Sequence, residues 1–167
     1  MSPLLRHAFA IAVLPFTVTV LVPLWLARRY SVSLAFPDSF FGSLGVAAGL
    51  ALLAIGVTLF VACLRRFAGE GQGTLAPWDP PRELVVTGPY RWVRNPMISG
   101  VIAVLLAEAF LLRSAPHLGW AVVFAGINLA YIPLVEEPDL QRRFGDSYRR
   151  YRENVPRVVP RLTAWKG

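Results

Sequence analysis

Two short stretches carry the residue types that could do chemistry. The first is 88–100, "GPYRWVRNPMISG", which places Arg91, Arg94, Asn95 and Pro96 directly before an apolar segment. The second is the acidic pair Glu136 and Glu137, directly after another apolar segment. Asparagine is a good helix N-cap and proline a good first helical residue, so a helix is expected to begin at Asn95 and Pro96. The free N–H groups and positive dipole end of that helix would favour an anion such as a ligand carboxylate. An ordinary helix start in a basic loop explains the same residues. Two acids at a helix C-terminus oppose the macrodipole. They can accept from a cationic or hydroxyl-bearing ligand, or pair with the surrounding arginines.

Other polar residues carry less. Glu108 lies inside an apolar segment, where an ionisable group is a functional candidate by default. Asn128 could line a pocket or bind a neighbouring helix, and the second role is the expected one. The "GEGQG" run at 69–73 has no preceding strand and no GK[ST], which excludes a P-loop. Cys63 is the sole cysteine, and His7 and His117 are far apart, so neither a disulfide nor a metal cluster is expected.

The elements that must position these residues are apolar. Hydrophobic residues make up 55% of the 167 and charged residues 16%, with mean hydropathy +0.50. Soluble domains carry about 25% charged residues. The net charge of +7 would suit nucleic acid in a soluble protein. Here the basic residues sit in loops and the tail, which suits anionic lipid and the positive-inside rule better, and no nucleic-acid partner is expected. Apolar segments at 8–27, 40–64, 97–112 and 118–135 read as four membrane spans, the last two a hairpin joined by "RSAPH". The first reads as an uncleaved anchor. With both termini cytoplasmic, all of the 17 Lys and Arg except Arg28, Arg29 and Arg113 lie inside. A long loop, 65–96, carries Trp78, Leu84, Val85 and Val86 and is expected to pack on something. Leu140, Phe144, Tyr148 and Tyr151 mark one face of a C-terminal amphipathic helix expected on the cytoplasmic surface. The fold class is therefore all-α: a bundle of about four transmembrane helices plus this cytoplasmic helix. Residues 1–64 form a two-span region and 65–167 the remainder of one integrated domain.

In order, "LVVTGPYRWVRNPM…G", an apolar hairpin and "EEPDLQRRFGDSYRRYRENVPRVVPRL" resemble the isoprenylcysteine carboxyl methyltransferase and phospholipid methyltransferase group. The resemblance covers about residues 65–162, and "GTLAPWDPP" is similar to bacterial members. It implies an integral-membrane enzyme, in the bacterial inner membrane, using S-adenosyl-L-methionine to methylate a hydrophobic or membrane-embedded carboxylate or amine. It assigns Tyr90, Arg91, Arg94, Asn95, Pro96, Gly100, Glu136 and Glu137 to the cofactor pocket, with Arg91, Arg94 and Glu137 the catalytic candidates and no metal. Asn95 and Ile98 stand where histidine and tyrosine are common, and asparagine cannot titrate. Physically, the helix start and arginines suit the cofactor's carboxylate, the two glutamates its ammonium or ribose diol, and Trp92 its sulfonium. Methyl transfer is an in-line displacement that needs alignment and desolvation. A sterol-reductase-like membrane reductase with a nicotinamide cofactor and a non-catalytic membrane scaffold remain the alternatives.

Overall fold

The computed structural model describes residues 9–10, 13–33, 39–71 and 82–167. Trp78 and the "GTLAPWDPP" stretch lie outside them. All regular structure among the described residues is helical.

The first helical segment contains a π turn, Thr17–Leu21, followed by α1, Val22–Arg29. Proline shapes this segment. The Val22 N–H bonds Thr17 O, five residues back. Pro23, next in that pattern, has no N–H to offer Val18 O. Trp120 supplies the donor instead, its Nε1–H reaching Val18 O at 3.0 Å. His117, fully buried, sits 3.1 Å from Pro23 O through Nε2 and 2.7 Å from Ser114 Oγ through Nδ1. A carbonyl only accepts, so Nε2 carries the proton and Nδ1 accepts from the serine. These bonds tie the first segment to the hairpin.

α2, Phe40–Arg66, starts at a Ser39 cap whose side chain accepts from Gly42 N–H at 3.1 Å, and continues without a break into a π turn, Phe67–Gly71. At 27 residues it is about 40 Å long. α3, Pro96–Leu111, and α4, Ala115–Tyr131, form the expected hairpin. The α2 and α3 backbones touch. Gly49, Gly56 and Cys63 recur every seven residues on the buried face of α2. A Cβ on Gly56 would lie 2.7 Å from Gly100 O, and one on Gly100 3.0 Å from Gly56 O. The small-residue seam is what allows this approach.

α4 does not end at the acidic pair. It runs through a π turn, Ile132–Glu136, into α5, Glu137–Asn154. The tail helix is therefore an extension of the fourth apolar segment. It breaks at Gly145 (φ 54°, ψ −128°), a conformation reserved for glycine. Leu140 and Phe144 before the break, and Tyr148 and Tyr151 after it, still gather in one cluster with Val155, Leu84 and Val86. The long loop thus packs on the tail helix. Beyond α5 a strap follows the 91–94 segment: Arg94 N–H bonds Pro156 O, Arg161 N–H bonds Trp92 O and Trp165 N–H bonds Arg91 O, each at 2.9 Å.

Two helices, Phe40–Glu70 and Ala115–Asn154, are long and apolar enough to cross a membrane. Only 17% and 11% of their most apolar stretches are buried within the fold. In the second, the apolar part ends at Val135, before the glutamates.

Candidate functional site

One cavity, of about 610 Å³, connects the two chemistry-bearing stretches. Its outer end is polar, walled by Arg94, Glu136, Asp139, Arg142, Arg143 and Tyr148. Its inner end is apolar, walled by Leu14, Val18, Phe60, Val101 and Phe124. That volume is ordinary for a small-molecule site.

Arg94 anchors the polar end. Its side chain is only 9% exposed, and Nη1 lies 3.0 Å from Glu137 Oε1 and 3.4 Å from the Tyr148 hydroxyl. Its Nε is buried with no hydrogen-bond partner among the described residues. That Nε is shielded from the cavity, so an anion there would meet Arg94 through the rest of its guanidinium.

Glu137 stands behind Arg94 and is itself buried. Arg157, from the strap, grips it with two bonds, Nε to Oε1 at 2.7 Å and Nη2 to Oε2 at 2.8 Å. Burial alone would push the Glu137 carboxyl up. The Arg157 bonds and the charges of Arg94, Arg157 and Arg152 outweigh it and hold the group below the ordinary carboxylate value. The same carboxylate raises Arg157 further. One acid between two guanidiniums leaves a net positive charge at this end.

Glu136 behaves in the opposite way. It lines the cavity and has no ion-pair partner among the described residues. Burial, then the charge of Glu137, pushes its carboxyl up. The adjacent acids therefore divide: Glu137 supports Arg94 from behind, and Glu136 faces the space.

Tyr90 lines the cavity while joining three elements. It packs with Cys63 of α2, its ring lies 5.7 Å from that of Phe67, and its carbonyl accepts from the Tyr151 hydroxyl at 2.7 Å. Burial, then the neighbouring Cys63, raises the Tyr90 hydroxyl well above the ordinary phenol value. Asn95 also lines the cavity and occupies the N-cap position, but its side chain does not cap. Nδ2 instead points at Arg157 O, 3.5 Å away. The strap competes for the amide that would otherwise close the helix start.

Three expected site residues lie elsewhere. Arg91 donates from Nε to Trp165 O at 2.5 Å and holds the strap. Pro96 is a buried first helical residue, and Gly100 belongs to the α2 and α3 seam. Trp92, expected near the sulfonium, is 41% exposed at the surface. Asn128 bonds no neighbouring helix among the described residues. Its Nδ2 donates to Phe124 O, one turn back, at 2.9 Å, and the residue lines the cavity. Glu108 has a buried Oε2 with no partner among the described residues. Sequence reasoning missed Arg157. Its signal was present, because a buried acid needs a partner and "VPR" returns the chain after the tail helix, but the fold-back itself had no sequence marker.

The Phospholipid methyltransferase family model matches residues 44–147. Among characterised proteins, the chain is 37% identical over 71 residues to the methanethiol S-methyltransferase of Mycobacterium tuberculosis, covering 42% of this chain and 28% of the relative. It is 40% identical over 78 residues to methanethiol S-methyltransferase 2 of Bradyrhizobium diazoefficiens, covering 45% of this chain and again 28% of the relative. The chain thus matches well under two thirds of either relative's length. No solved structure matches it.

Proposed function

Because the chain belongs to the phospholipid methyltransferase family, we propose that it transfers a methyl group from S-adenosyl-L-methionine to a small hydrophobic acceptor at the cytoplasmic face of a membrane. The observation that carries this reading is Arg94: a buried guanidinium, held by Glu137, that lines a cavity with both polar and apolar walls. The residues present fit the cofactor's charge pattern. Arg94 would hold its carboxylate, and Glu136, the acid that faces the cavity, its ammonium or ribose hydroxyls. Bound there, the cofactor supplies a methyl group on a cationic sulfur.

The chain's own residues then have defined tasks. Arg157 and Glu137 fix the Arg94 guanidinium, so that little reorganisation accompanies binding. Tyr90 closes the wall between α2 and α5. Val18, Phe60, Val101 and Phe124 exclude water from the inner lobe, where an apolar acceptor would lie. The relatives are named for methanethiol, so a thiol belongs beside carboxylates and amines among the acceptors to assay. Arg91, Pro96 and Gly100 shape the site without reaching the cofactor. The outward apolar faces of α2 and α4 support membrane crossing. The packing of α1 and α3 alongside supports four antiparallel spans in one integrated domain; the basic loop and tail favour cytoplasmic termini, and the bacterial relatives a bacterial inner membrane.

Calorimetry on detergent-purified protein tests the reading. S-adenosylhomocysteine should bind, and Arg94→Ala and Glu136→Gln should each weaken it about tenfold or more, the worth of one charge-assisted hydrogen bond. Binding of a nicotinamide cofactor with no heat from either adenosyl ligand would overturn it in favour of a reductase.

A further inference from the structure

The strap after α5 turns large apolar side chains away from the protein. Val158 is 53% exposed, Val159 74% and Leu162 97%. They are not at a loose end. Three backbone hydrogen bonds and the Arg91 side chain pin the strap to the 91–94 segment on both sides of them. The fold holds these side chains outward, beside the half-exposed Trp92 and the cations Arg157 and Arg161. Apolar and cationic groups on one short surface match the boundary between lipid headgroups and acyl chains, where an aromatic ring is also favoured. The strap sits at that level, since the segment it is bonded to leads directly into α3 at Pro96. A second copy of this basic chain would bring arginine against arginine, whereas an anionic bilayer attracts them.

We propose that the strap is an interfacial anchor, which lays Val158, Val159 and Leu162 into an anionic bilayer surface on the side of the membrane where the cavity opens. This rests on the reading of α2 and α4 as membrane-spanning. It adds a link between lipid and site. Arg157, which grips Glu137, directly precedes Val158, so contact of the strap with lipid braces the ion pair that holds Arg94.

Spin labels on single introduced cysteines test this in nanodiscs of phosphatidylcholine and phosphatidylglycerol, the buried Cys63 being shielded and the unsubstituted chain serving as blank. Labels at Val159→Cys and Leu162→Cys should relax more with oxygen than with a water-soluble nickel chelate. A label at Val57→Cys, outward on α2, should do the same, and one at Asp146→Cys, on the water side of the tail helix, the reverse. Nickel access at 159 and 162 with oxygen access at 57 would overturn the anchor and leave the membrane reading intact. Nickel access at all three would remove the membrane reading itself. Dipolar broadening between labels at 162 would show a second copy there and also overturn the anchor.

Discussion

At the scale of single residues, the adjacent acids have opposite responses to pH. Glu137 is depressed in the folded protein, so it stabilises the fold above the ordinary carboxylate pKa, and that stability is lost as pH falls through its folded value. Glu136 is raised, so its contribution is present at low pH and is lost as pH rises through its folded value. Two expectations follow. Glu136→Gln should raise the melting temperature of the empty protein near neutral pH, by about 2–4 °C for each kcal/mol of relieved strain. Native S-adenosylhomocysteine binding should strengthen as pH rises through the raised Glu136 value, and the same variant should abolish that dependence, read by calorimetry across a pH series. Glu137→Gln should do the contrary, leaving two guanidiniums short of a counter-charge and costing about 3 kcal/mol of stability, read by thermal unfolding in detergent. The pair "EE" was visible as a site candidate in the sequence. Its division of labour was not, because that depends on the side from which the strap brings Arg157 back, twenty residues after Glu137.

At the scale of elements, the seam between α2 and α3 is the most demanding contact. Gly56→Leu should drive a branched side chain into the Gly100 carbonyl and Val104, lowering thermal stability and ligand binding together. Gly126→Ala, where an added Cβ meets open space, should leave both nearly unchanged. If the two behave alike in thermal unfolding, the seam is not what holds these helices. The hairpin and the helix starting at Pro96 were legible from apolar length and from Asn95 and Pro96. The uncapped Asn95, the Gly145 break and the unbroken passage from α4 into α5 were not. The first two involve tertiary partners, the Arg157 carbonyl and the tyrosine cluster, and the third a local π turn around Pro133.

At the scale of the whole molecule, the two ends of the bundle differ in kind. Arg94, Glu136, Glu137 and the strap gather at one end. Ser114 and His117 meet α1 at the other, where Tyr30 and Arg113 border a shallow cleft. A periplasmic reporter fused after Ser33 should therefore be active and one fused after Glu70 silent, and the reverse pattern would invert the proposed orientation. The charge bias of the sequence leads to the same expectation for the reporters. What composition left open is that one cavity runs from the charged end inward, between residues as distant in sequence as Val18 and Tyr151.

The grip of Arg157 on Glu137 also has a consequence for how the protein is made. A chain emerges from the ribosome N-terminus first. The apolar helices and Glu137 are therefore complete before Arg157 is available. Until the strap folds back, the nascent bundle carries a carboxylate with one of its two guanidinium partners missing, and the pocket becomes rigid only with the last part of the chain described here. Assembly order thus leaves the polar end of the cavity to form after its apolar walls.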